Sequence, residues 1–218
     1  MDRAMRKLNE LNPDIDMLSI EDTSFLRYGR VHRDRPVDIL LASLDGRPGS
    51  RAGVLRIVLL VPTLREIFGC TELQVESVQG RNTRLDALEY HKCVEVVVAG
   101  TDMVALMGLV CDIAWPAGTF DVSRTRAFYV PRGTVYEVFP WCLHSTPVHV
   151  HEAEGFRCLV IQPKGAHAPI DFTPDPGGEG KLMRGRNTWL ISYVEEGGVP
   201  GISAHRGLKG RAIELKTL

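Results

Sequence analysis

The chain has 218 residues, 44% of them hydrophobic and 24% charged, with 26 Lys and Arg against 27 Asp and Glu. That composition excludes a disordered, collagen-like or coiled-coil chain, and the length suffices for one core without staples. A formal charge of −1 offers no basic excess to neutralise phosphates, so nucleic acid is not an expected partner.

Five cysteines, none in a CxxC pair, suggest neither a disulfide framework nor a zinc knuckle. The charged N-terminal stretch does not read as a secretion signal, and the longest apolar run, 57–61, falls short of the ~20 residues that span a bilayer. The expectation is a cytoplasmic chain with reduced thiols and no membrane partner.

Met5, Leu8 and Leu11 at helical spacing predict a short amphipathic helix over residues 1–11, stopped by Asn12-Pro13. The mixed stretch that follows ends in the apolar run 39–41. Residues 43–53, rich in Gly, Ser and charge, read as a loop and as the most mobile segment. Residues 54–61 read as a buried strand or short helix. Pro62 then opens a short helix reaching residue 68 and closed by Gly69.

From Glu72 onward, β-prone segments alternate with Gly, Pro and Asp punctuation. They lie at 73–78, 91–100, 103–110, 126–130, 134–139, 157–163, 188–194 and 211–216. Strands at this spacing, without intervening helices, predict an antiparallel sandwich or barrel. Residues 99–102 suit a hairpin turn joining two of them. The expected organisation is an N-terminal arm of short helices, 1–70, packing on a β-barrel domain, 71–218.

The densest polar cluster in an apolar setting is LEYHKCVEVVV, residues 88–98. In a strand, alternation points Glu89, His91, Cys93 and Glu95 to one face. An uncompensated carboxylate inside a protein is costly, so such a face is either wet or organised around a metal. The continuation into Val96-Val97-Val98 favours an interior element. A second cluster, FYVPRGTVYEVFPWCLH at 128–144, adds Glu137 and His144. Two His and two carboxylates from separate strands match first-row metal ligation.

These stretches resemble the two metal motifs of cupins. Glu89-Tyr90-His91 stands where His-x-His is expected, Glu95 follows after three intervening residues, and Gly108 is placed to end the first motif. Pro131-Arg132-Gly133 matches the turn of the second. Glu89 replaces the first His of the pattern, and Tyr136 holds the place of the second-motif His, leaving Glu137 and His144 as its substitutes. With GFRCLVIQPKGAH (155–167), RNTWLISY (186–193) and HRGLKG (205–210), the chain is similar to an uncharacterised bacterial cupin family over roughly residues 70–218. The resemblance implies a mainly β fold, a cupin-type antiparallel β-barrel (double-stranded β-helix) with N-terminal helical and extended additions.

It also implies one divalent ion, Zn, Mn, Ni or Fe, held by His91, Glu95, Glu137 and His144. Either Glu89 or Glu137 is then released as a base. Asn82, Lys164 and Arg186 are the substrate-binding candidates, and Cys93 is a possible soft ligand but reads better as a small packed residue. His149 and His151 read as a surface loop, and Trp115, Trp141 and Trp189 as core or pocket wall. By analogy with sugar-isomerising cupins, the expected activity is metal-dependent isomerisation, epimerisation or lyase chemistry on a small carbohydrate or sugar acid. The alternatives are a non-catalytic cupin that binds a sugar or metabolite and, third, an Fe(II) dioxygenase. A homodimer is the expected assembly.

Overall fold

The computed structural model describes residues 2–32, 62–194 and 204–218. The apolar run at 39–41, the loop expected at 43–53 and the buried segment expected at 54–61 lie outside the described residues.

The N-terminal helix forms as α1 (Arg3–Leu11). Asp2 caps it by accepting the Ala4 N–H at 2.7 Å, and Met5 and Leu8 turn one face into the core. Asn12 ends it. The Asn12 amide donates to Leu8 O and to Lys216 O, both at 2.9 Å, and its Oδ1 accepts from Lys216 N at 2.8 Å. One side chain therefore closes the helix and ties it to the C-terminal tail. The second expected helix is α2 (Pro62–Ile67), opened by a residue with no N–H to satisfy and released at Gly69, where φ is +58°.

The strands assemble into two facing sheets. The first runs β1 (Met17–Ser19), β8 (Arg126–Val130), β6 (Met103–Leu109), β10 (Cys142–His144), β4 (Ala87–Tyr90), β14 (Thr188–Ser192) and β13 (Met183–Gly185). Two short strands extend it, β11 (Val148–His149) beside β6 and β15 (His205–Arg206) beside β14. The second sheet runs β2 (Gly29–His32), β9 (Val135–Val138), β5 (Glu95–Ala99), β12 (Phe156–Pro163) and β3 (Leu73–Gly80). β7 (Phe120–Asp121) and β16 (Leu208–Lys209) form a short parallel pair apart from both. The mainly β expectation is met as a jelly-roll-like pair of sheets. Among the described residues, the two ladders do not join into one continuous closed barrel.

Three apolar layers follow from strand alternation. Val97, Ala99, Tyr136 and Val138 of the second sheet meet Met103, Ala105, Met107 and Phe128 of the first. Val96, Val98 and Val135 point the other way, under Leu64 and Phe68 of α2 and its end. Val104, Leu106 and Tyr129 face outward from the first sheet, under Met5 and Leu8. β5 and β6 thus have packing on both faces and are buried throughout, which is why they read as unbroken apolar runs.

Four expectations change. The turn at 99–102 is not a hairpin: both edges of β5 are taken by β9 and β12, so the chain crosses to the first sheet as β6. Residues 211–216 form no strand; they touch 83–85 through the bridge Arg84↔Glu214 and two flanking backbone bonds. Residues 17–32 are woven into the sheets as β1 and β2 rather than lying wholly outside them. Trp115 and Trp141, expected as core or pocket wall, are 42% and 53% exposed.

Replacing Asn12 by Ala removes three hydrogen bonds from a largely buried side chain. We expect a loss of about 2–3 kcal/mol, read as a lower urea midpoint with unchanged slope. An unshifted midpoint would show that the tail is held by other contacts.

Candidate metal centre

The polar cluster is not one strand. β4 ends at Tyr90 in the first sheet and β5 begins at Glu95 in the second, so residues 91–94 are the corner between them. The side chains converge because the corner folds them together, not because they alternate along one strand. His144 joins through the antiparallel ladder, where it is the direct partner of Glu89. Adjacent side chains in such a pair stand close enough to share a ligand.

His91 is held by its Nδ1, which lies 2.7 Å from the carbonyl oxygen of Asn187. A carbonyl only accepts, so Nδ1 carries a proton and the neutral ring keeps its lone pair on Nε2. That Nε2 stands 3.4 Å from Glu95 Oε2. His144 Nε2 stands 3.7 Å from Glu95 Oε1 and 3.6 Å from Glu89 Oε1. Glu89, His91 and His144 each offer a donor atom within 4.8 Å of the others.

Glu95 is fully enclosed, and Gln162 Nε2 donates to its Oε2 at 2.6 Å. Burial alone would raise the Glu95 carboxyl; the charges of His144, His91 and His167 outweigh it and bring it to about 2. Burial would likewise lower the His91 imidazole, but the Glu95 and Glu89 carboxylates and the Asn187 carbonyl raise it to about 9.

The donor set fits a cation. His91 Nε2 and both ring nitrogens of His144 are buried and hydrogen-bond to no described residue. Buried polar atoms without partners are uncommon and call for an explanation. The 3.4–3.7 Å spacings resemble the ~3.4 Å edge of a tetrahedron of ~2.1 Å bonds to nitrogen and oxygen. Imidazole with carboxylate is a ligand set for first-row divalent ions. Glu89 and His144 open onto a cleft of about 530 Å³ whose walls include Gln79, Arg81, Arg84, Asp86 and Phe156.

The other sequence candidates fall elsewhere. Glu137 does not reach the centre. On β9, Tyr136 points between the sheets, so Glu137 points out with Val135, and its Oε1 meets His32 Nε2 at 2.5 Å. Glu137 is buried and His32 half-buried. Asn82 lines the cleft, but its Nδ2 donates to Thr146 O at 3.1 Å and its Oδ1 accepts from Arg84 N at 3.2 Å, so it braces the loop. Lys164 is an exposed surface residue paired with Glu72 at 2.9 Å. Arg186 is also exposed; its carbonyl accepts the His167 N–H at 3.0 Å. Cys93 is half-buried and accepts from Asn187 Nδ2 at 2.8 Å, with its thiol raised mainly by burial.

Two residues were not singled out from the sequence. Gln162 is the last residue but one of β12, with no motif that marks it. His167 places its ring 5.1 Å from that of His91, edge to face, and has a left-handed φ of +63°. The only hint to it is the turn Pro163-Lys164-Gly165 just before. His149, expected on a surface loop, is instead buried in β11, with Nδ1 against the Asn82 backbone and Nε2 2.8 Å from Glu152 Oε2.

No curated protein matches the chain. Similar solved structures include vicilin from hazelnut (Corylus avellana), 11% identical with a TM-score of 0.35, covering 76% of this chain and 50% of that one. A variant of oxalate decarboxylase from Bacillus subtilis is 15% identical with a TM-score of 0.24, covering 51% of this chain and 24% of that one. The chain therefore spans half or less of the length of these proteins, and likenesses this distant identify neither its activity nor its ligand. Among the described residues no helix is long and apolar enough to cross a membrane. A family profile matches residues 17–213, and the chain belongs to that family, described as a domain of unknown function (DUF4867).

Proposed function

We propose that the chain is a metal-dependent enzyme that isomerises, epimerises or eliminates on a small carbohydrate or sugar acid. In this reading His91, His144 and Glu95 hold one divalent ion, Zn, Mn, Ni or Fe, and Glu89 moves the proton. The observation that carries it is the set of buried, unpartnered imidazole nitrogens facing two carboxylates.

When bound, the ion supplies Lewis acidity to a hydroxyl–carbonyl pair of the substrate. The two carboxylates divide by environment. Glu95 is enclosed and fixed by Gln162, which suits a ligand that must not move. Glu89 keeps 28% of its side chain exposed and lines the cleft, so a substrate reaches it, as a general base requires. Two carboxylates with two neutral imidazoles balance a divalent charge, which removes the need for Glu137 as a third acid. A second reading is a non-catalytic sugar or metabolite binder. It draws on the same 4.8 Å grouping of Glu89 with His91 and His144, which would make Glu89 a ligand and leave no base.

The test is metal analysis and titration, followed by proton exchange from aldoses, ketoses and sugar acids in deuterated water. Wild type should bind one Mn, Zn or Ni per chain and exchange a carbon-bound proton. Glu95→Gln should lose the metal. Glu89→Gln should keep it and lose about 10²–10⁴ in rate. Glu137→Gln, on the far side of the sheet, should keep both. Metal loss in Glu89→Gln with no exchange by wild type would favour the binder; iron with oxygen uptake would move the chain to the oxygenases.

Metal affinity should also rise with pH. Metal must displace the proton that His91 holds up to about 9, so below that value each unit of acidification costs about tenfold per proton displaced. Titrations by calorimetry from pH 6 to 8 would measure this slope, and a flat profile would remove His91 from the ligand set.

A further inference from the structure

We infer that Asn187 is the positioning residue of the centre, fixing both the rotation and the proton placement of His91. The inference rests on the metal reading above. Asn187 touches neither a carboxylate of the centre nor its cleft; it acts through the corner at 91–93.

Three polar groups of Asn187 are spent on three consecutive residues. Its carbonyl accepts from His91 Nδ1 at 2.7 Å, its Oδ1 accepts from Lys92 N at 2.8 Å, and its Nδ2 donates to Cys93 Sγ at 2.8 Å. These residues have no ladder of their own, because the chain there is leaving one sheet for the other. Asn187 supplies the Lys92 N–H with a partner and holds the two neighbouring side chains, from the turn between β13 and β14 just after the register slip at Met183–Gly185. It does so with a φ of +56°, a left-handed conformation that Asn tolerates and most side chains resist.

The same turn sets a second imidazole. Arg186 O accepts from His167 N at 3.0 Å and from Thr188 Oγ1 at 3.2 Å. With its proton so directed, Thr188 Oγ1 accepts from His167 Nδ1 at 3.1 Å, leaving the lone pair of that neutral ring on Nε2. Residues 186–188 therefore impose one tautomer on both His91 and His167. Partners of this kind typically govern metal affinity by about 10–100-fold.

The test compares Asn187→Gly, which keeps the left-handed backbone but removes both side-chain bonds, with Asn187→Asp, which keeps the acceptor for Lys92 N. The probes are Co(II) and Zn(II) titrations, the visible spectrum of the Co(II) protein, and the nitrogen NMR tautomer pattern of His91. That last pattern is read near pH 10 on metal-free protein, above the His91 value of about 9. Asn187→Gly keeps the carbonyl that faces His91 but frees Lys92 and Cys93, which hold the His91 ring beneath that carbonyl. We therefore expect it to lose about 10–100-fold in metal affinity, shift the Co(II) bands and mix the two tautomers, with Asn187→Asp in between. A lower melting temperature with unchanged Co(II) bands and tautomer would make Asn187 merely structural and overturn the inference. If wild type binds no metal, the metal reading fails by itself, while the tautomer pattern still decides whether Asn187 orients the ring. Should Asn187→Gly not fold, the Asp variant alone must show the tautomer change for the inference to stand.

Discussion

A carboxylate enclosed between two apolar sheets has to be compensated, and the Glu95 carboxylate imposes that requirement on everything around it. Desolvating such a group without partners costs several kcal/mol or more. Here two imidazoles and the Gln162 amide face it. Near it lie Tyr136, Cys142 and Cys158: burial raises all three groups first, and the Glu95 charge adds to it, second for the two thiols and after Cys158 for Tyr136. The second carboxylate of the set, Glu89, stands where the centre meets the cleft.

The same rule operates on the opposite face of the second sheet. Glu137 is also buried, one residue past a side chain that points inward, and His32 of β2 meets it. Two Glu–His contacts, each with a buried glutamate, thus stand back to back across one sheet, and period-two alternation keeps them apart. The first has extra imidazole and carboxylate donors and an opening to solvent. The second is, among the described residues, a single pair. That difference separates a candidate ligand site from a structural pair, though the residue types are alike.

The corner at 91–94 is where fold and chemistry meet. A straight strand from Glu89 to Glu95 would have placed both carboxylates in one sheet, with His91 between them. Breaking it sends each glutamate to a different sheet and turns His91 into the gap, at the cost of backbone groups without a ladder. The turn at 186–188 takes up one of those groups, the Lys92 N–H, and faces the rings of His91 and His167 as well. Left-handed Asn187 and His167 flank this arrangement, so the locally unfavourable backbone is concentrated beside the centre.

The sequence by itself determined the local matters. It set the amphipathic helix ended by Asn12, the proline-opened second helix, most of the long strands, the mainly β class, and His91, Glu95 and His144 as a candidate group. These depend on periodicity, turn chemistry and the cost of charge inside a core, all of which act over a few residues. Glu137 was within reach of the same logic, since an inward Tyr136 already implied an outward neighbour. Tertiary structure alone decided the rest: the sheet change after Gly100, the corner at 91–94, the pairing of Glu137 with His32, and the approach of Gln162, His167 and Asn187. Those contacts join residues roughly 20 to 105 positions apart, as in His32 with Glu137. Nothing in the local pattern of either partner encodes which distant edge or ring it will meet, because that depends on how two sheets register when their shared core closes.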